Sequence, residues 1–194
     1  MKAYEQLLDY IEKIEIIDTH EHLPVESKRD MASDVLSEWL LHYFSCDLVS
    51  AGLSDAGLAT VRDPRRDIVK RWKLVEPYWH AAESTGYGRA LTIAARDIYG
   101  IPHIGADTIV KLNNAFVAAR KKGGHYKRVL KEKSHIAISI RDTFPMEAEL
   151  DAPDPFVFTF KIAPLICVNH HSAVRAWAEK VDKRVHTLAD WLEV

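Results

Sequence analysis

The period of apolar and polar residues changes several times along the chain, and each change marks an element. Tyr4, Leu7, Leu8, Ile11 and Ile14 recur at three- and four-residue spacing and predict a helix over 2–13. The β-branched run at 14–19 then predicts a strand, followed at once by His20-Glu21-His22. Pro24 turns the chain away, and residues 33–133 read almost wholly as helix. Ser33 and Asp34 are N-cap candidates for a helix over 35–44, with Leu36, Trp39, Leu40 and Tyr43 on one face. Asp63-Pro64 has the form of an N-cap and first-position proline, opening a helix through Ile68, Val69 and Trp72 towards Pro77. After the turn Thr85-Gly86-Tyr87-Gly88, residues 90–99 form a helix stopped by Gly100 and Pro102. Asp107 starts another that ends at Gly123-Gly124, and a basic helical segment over 126–133 leads out.

Strand patterns return late, at 136–140 and 156–160, with a proline-bearing loop at 144–155 between them. Ser172 is the cap candidate for a helix through Val174, Trp177, Ala178 and Val181, and Thr187 for a last one. Leu188, Trp191 and Leu192 begin an apolar face, yet the sequence stops at Val194 with no glycine or proline stop, which reads as a cut.

Composition narrows the class little further. A formal charge of −2 gives no electrostatic footprint for nucleic acid or membrane. No apolar run reaches the ~18–20 residues a bilayer span needs, and the N-terminus lacks the apolar core of a secretory signal. Cys46 and Cys167 stand far apart, which fits a reducing cytoplasm.

The chemistry concentrates at the first strand. Side chains at i and i+2 of a strand share a face, so His20 and His22 can reach one point beyond its C-terminal end. Neutral imidazole is the commonest metal-ligating side chain, and an ion there would act on water or a substrate oxygen; the other reading of the pair is two polar residues in a strand-end turn, capping backbone groups. Asp18 is placed either to accept a ligand's spare N–H or to serve as a hydrogen-bonded turn carboxylate. Glu21 points to the other face, as a solvated or ion-paired residue. Tyr87 and Arg89, in the glycine-rich turn, either bind an anionic substrate group or accompany a tight connection in which Arg89 pairs with an acid. Trp72, Tyr78 and Trp79 read as core. His170-His171 read as loop residues, because neighbours in an extended chain point apart. The basic stretch 120–128 reads as a solvated helix end.

Three stretches carry a resemblance: Ile16-Ile-Asp-Thr-His-Glu-His-Leu-Pro24; Glu83-Ser-Thr-Gly-Tyr-Gly-Arg-Ala-Leu91 with Asp97-Ile-Tyr-Gly100; and Ser134–Asp142. Together they resemble the beginning of the amidohydrolase superfamily of metal-dependent (β/α)8 barrels, in its amidohydrolase-related branch near uronate isomerase. The resemblance implies a TIM-type barrel with a divalent metal, zinc foremost, at its C-terminal mouth. Its first two ligands correspond to His20 and His22, with further ligands on later strands. It also implies a large helical insertion, residues 24–133, between strands 1 and 2. Three strands are counted over 1–194 where the fold needs eight, so the chain is expected to be the N-terminal part of such a barrel.

The expected function is metal-dependent hydrolysis of a small molecule, and the missing later strands leave open whether the chain is incomplete and inactive by itself. A uronate-type aldose–ketose isomerase is one alternative, with Tyr87 and Arg89 holding a carboxylate. A non-catalytic helical interaction module is the other. Unpaired strand edges make self-association, or a complementary barrel fragment, the expected partner.

Overall fold

A computed structural model describes residues 2–142, 154–159 and 166–194. It is a mixed α/β structure with three parallel strands in one sheet and many helices. Contacts divide the chain into two units, Met1–Leu23 with Ile136–Val194, and Pro24–His135. Among the described residues no helix is long and apolar enough to cross a membrane.

In the first unit, α1 (Lys2–Lys13) covers the expected range. β1 (Ile16–Glu21) lies two residues later than the sequence pattern suggests, so His20 belongs to the strand and His22 follows it. β2 (Ile136–Arg141) is central and β3 (Phe156–Phe158) completes the order β1-β2-β3, all parallel. The register pairs Asp18 with Ser139 and Glu21 with Arg141, with an irregularity between them. That slip stretches β1 past β2 at the end that carries the histidines. The expected loop at 144–153 and the last residue of the third expected strand, 160, lie outside the described residues.

α8 (His171–Lys180) is capped by His170, whose ring accepts the Ser172 amide, and not by Ser172 itself. The imidazole wins because it also engages the Ser172 hydroxyl, at 2.8 Å. His171 is thus helical, not a loop residue. α9 (Leu188–Leu192) starts at the expected cap, Thr187, in a capping box with Asp190.

Among its described residues, this unit buries little apolar surface. Tyr4, Leu7, Leu8, Tyr10 and Ile11 of α1, and Ile16 and Ile17 of β1, are all exposed. Burial is concentrated instead at the sheet centre, where Ser139, Arg141 and Phe156 are covered.

The second unit is helical: α2 (Val35–Trp39), α3 (Phe44–Ser50), α4 (Asp55–Arg62), α5 (Ile68–Ala82), α6 (Gly86–Tyr99) and α7 (Ile109–Lys122), then a π-helical stretch Lys127–Lys133. The helix expected over 35–44 breaks at Leu40, because the Arg62 guanidinium takes the Leu40 and Leu41 carbonyls that a longer helix would have used. Asp63-Pro64 ends α4 instead of opening α5. The Asp63 carboxylate is engaged by Arg65 and Arg66, and Asp67 caps α5 through the Lys70 amide at 2.9 Å. α5 continues through Pro77, whose missing N–H removes one helical bond, because Trp79 and Ala82 beyond it pack into the core.

α7 is preceded by Thr108, since Asp107 pairs with His103. Trp72 and Trp79, expected as core, are fully buried with ring centroids 5.3 Å apart, and Phe44 lies 4.8 Å from Trp79. The largest described apolar cluster, Val35 to Phe116, belongs wholly to this unit.

Two buried polar features lock the helices. Arg71 forms a bidentate pair with Asp34, the α2 cap, and donates to the Val61 and Arg66 carbonyls. Glu38 on α2 is gripped by Arg29 and by Arg120 of α7.

His125 stacks on Tyr99 with its Nδ1 buried and without a hydrogen-bond partner among the described residues. Burial, then the Arg29 and Arg128 charges, push its pKa down from 6.5 to about 4. The unfolded chain therefore takes up this proton at higher pH than the folded one. The stability tied to neutral His125 is complete above about pH 6.5 and is lost as pH falls through about 4. The loss is at most roughly 3 kcal/mol. Urea unfolding at pH 7.5 and pH 5 is expected to show this decline, and His125→Phe to lack that share of it.

Candidate metal centre

β1 and β2 run parallel, so their C-terminal ends lie side by side and bring residues 20–22 against 141–142. His20 and His22 approach edge-on, ring centroids 4.6 Å apart, with their Nε2 atoms 3.1 Å from each other. The two rings meet, although His22 lies beyond the last residue of β1 and the ladder is irregular between Asp18 and Glu21.

His22 Nδ1 lies 2.6 Å from the Asp142 carbonyl oxygen. A carbonyl only accepts, so Nδ1 carries the ring proton and Nε2 holds a lone pair facing His20. The backbone of β2 thereby sets the tautomer that ligation needs. The Asp142 carboxylate completes a group with His20 and His22 whose ligand atoms all lie within 4.8 Å of one another. Its Oδ1 accepts from the Thr159 hydroxyl at 3.3 Å, which ties it to the end of β3.

Two imidazoles and a carboxylate are donor types that divalent ions take. The two Nε2 atoms, 3.1 Å apart, share a hydrogen bond in which His20 donates when His22 carries its proton on Nδ1. With the His20 Nε2 proton lost, both nitrogens stand near the separation of about 3.3 Å for two ligands ~2.05 Å from a tetrahedral ion. A carboxylate is an ordinary third ligand, and both histidines are exposed, so the remaining direction is open to solvent.

Asp18 accepts the His20 backbone amide on Oδ1 at 3.4 Å and the Ser139 hydroxyl on Oδ2 at 2.9 Å. It braces the strand pair beneath the site through the ligand's main chain. Glu21, expected as a solvated or ion-paired residue, is not fully solvated and lies opposite Arg141 in the ladder. It is half-buried, Oε2 accepts the Leu23 amide, and Oε1 is buried without a hydrogen-bond partner among the described residues. Burial raises its pKa, the Leu23 amide opposes that, Asp18 adds to it, and Arg141 lowers it.

Tyr87 and Arg89 lie in the helical unit, in the first turn of α6 and not in a free turn. Thr85 caps that helix through the Gly88 amide and donates its hydroxyl to Asp47 at 2.7 Å. Gly88 is there for contact with the end of α5, since a Cβ would meet the Ala82 carbonyl at 2.6 Å. Both side chains are exposed, and the Tyr87 ring stacks on Tyr43 at 5.1 Å.

Asp142 is the member of the group that the pattern of histidines did not single out. Its signal was present: an acid closing the second parallel strand sits beside whatever closes the first.

Searches for related proteins returned no match to any family model, to any curated protein or to any solved structure.

Proposed function

We propose that this chain carries the opening strands of an amidohydrolase-type barrel and that its chemistry is metal-dependent hydrolysis of a small molecule. The observation that carries the reading is the convergence of His20 Nε2 and His22 Nε2 at the C-terminal end of β1, with the Asp142 carboxylate beside them. Catalytic residues of such barrels gather at that end of the strands. The sequential parallel order β1-β2-β3 and the helical unit between β1 and β2 suit the same architecture.

In this reading His20, His22 and Asp142 hold the ion. When bound, it supplies Lewis acidity towards water and a substrate carbonyl oxygen. Asp18 and Ser139 keep His20 in register, and the Asp142 carbonyl keeps the His22 proton on Nδ1. Tyr87 and Arg89, exposed on the first turn of α6, belong to the helical unit and are not assigned to this centre. The exposed, unlinked Cys46 and Cys167 suit work in the cytoplasm.

The test is turnover by the full chain, loaded with zinc or manganese, on a panel of small amides, esters and lactones. The expected result is hydrolysis that chelator abolishes, added metal restores and His20→Ala eliminates. Tight metal binding without turnover on any of the panel contradicts the hydrolase reading.

A second reading rests on a separate observation, the apolar face of α1 with the outer edge of β1, which pairs with no further strand among the described residues, and where Tyr4, Leu7, Ile11, Ile16 and Ile17 are all exposed. It makes the chain a binding module, joined by a second copy or by a complementary strand segment. A concentration-independent monomer in sedimentation would contradict it.

A further inference from the structure

The strand ladder does not fix His22, because β1 ends at Glu21. What fixes it is the end of β2. The Asp142 amide donates to the Glu21 carbonyl at 2.8 Å, the Asp142 carbonyl takes the His22 ring, and Arg141 Nε donates to the Leu23 carbonyl at 2.6 Å. The Leu23 amide in turn is held by the Glu21 carboxylate. Residue 22 is thus bracketed on both sides by main-chain bonds, one of which depends on a single side chain.

That side chain is built for the purpose. Arg141 is 3% exposed and paired in register with Glu21, and its guanidinium lies 5.1 Å over the Phe158 ring. Arg141 stacks on Phe158 of β3 while its Nε donates to the Leu23 carbonyl, a directional role that an ammonium cannot copy.

We infer that Arg141 is a positioning residue for the metal centre: it anchors the Leu23 carbonyl so that the His22 ring stays on the Asp142 carbonyl with Nε2 turned to His20. This rests on the metal reading of His20, His22 and Asp142. It goes beyond that reading by assigning the site's order to a residue outside the three proposed ligands.

The test compares the full wild-type chain with Arg141→Met, which keeps the apolar stem, and Arg141→Lys, which keeps the charge. Zinc affinity is read by competition with a chromophoric chelator. The His22 tautomer is read from ring ¹⁵N shifts in metal-free protein, and folding from circular dichroism. In Arg141→Met, zinc affinity is expected to fall by about 10–100-fold, the range for loss of a ligand's outer support. His22 is expected to change from the Nδ1–H form to a mixture of tautomers. Arg141→Lys should fall between the two, with helix content kept. Wild-type zinc affinity and a retained Nδ1–H form in both variants would overturn the assignment. If the wild-type chain binds no zinc, the metal reading fails, and the tautomer in metal-free protein still decides the role of Arg141.

Discussion

Arg71→Met is expected to lower the unfolding free energy by about 3–5 kcal/mol, the range for removing one partner of a buried ion pair. The substitution keeps the side chain's bulk but deprives Asp34 of its guanidinium. Asp34 is then left buried and charged, and the Val61 and Arg66 carbonyls lose their donor. Asp34 also caps α2 by accepting the Ser37 amide at 2.9 Å, so the damage reaches the first helix of the core. Asp34→Asn keeps a capping oxygen and should cost less, and the double variant less than the sum, since the two residues share one interaction.

Burial alone would raise the Asp34 carboxyl, but the bonds from Arg71 and Ser37 hold it below its ordinary 3.8. Its contribution is therefore complete above that value and disappears as pH falls through the depressed folded-state pKa. Urea unfolding followed by tryptophan fluorescence measures all of this, because buried Trp72 adjoins Arg71 in sequence. A loss under about 1 kcal/mol in Arg71→Met would show that the pair is not the lock described.

The second large effect concerns the histidines. His20→Ala or His22→Ala should each weaken zinc binding by more than the about 10–100-fold that follows loss of an outer partner, because each removes one of three donors outright. Asp142→Asn removes the negative ligand and should also lower affinity, while leaving the backbone carbonyl that holds His22 in place. Asp18→Asn, acting only through the His20 amide and Ser139, should cost least. Chelator competition on the four variants gives the order. Equal affinities across the set would mean that the ion sits elsewhere.

What could be read from the sequence followed from short-range physics. The apolar stripe of α1, the tryptophans of α5, the glycine stop after α7 and the Thr187 cap all depend on residues within a turn or two, and all appear as expected. The misread ends have another cause. Asp63-Pro64 and Ser172 have the composition of caps, yet Arg65 and Arg66 claim the first carboxylate and His170 takes the second position. The break after α2 depends on Arg62, twenty-two residues away from Leu40, and no local pattern announces it.

At the site, the spacing of His20 and His22 pointed to their meeting, but His22 lies past the end of β1 and its ring is held by the Asp142 carbonyl. The parts taken by Asp142 and Arg141 depend on how β1 and β2 are paired. The sequence put Asp18 near the histidines, but only the register shows it bonded to Ser139.

The most direct test of the account is a crystal of the zinc-soaked full chain, with anomalous differences collected on both sides of the zinc edge. The account predicts one edge-dependent peak within about 2.0–2.2 Å of His20 Nε2, His22 Nε2 and an Asp142 carboxylate oxygen. A peak elsewhere, or none beside two histidine rings turned apart, would contradict it.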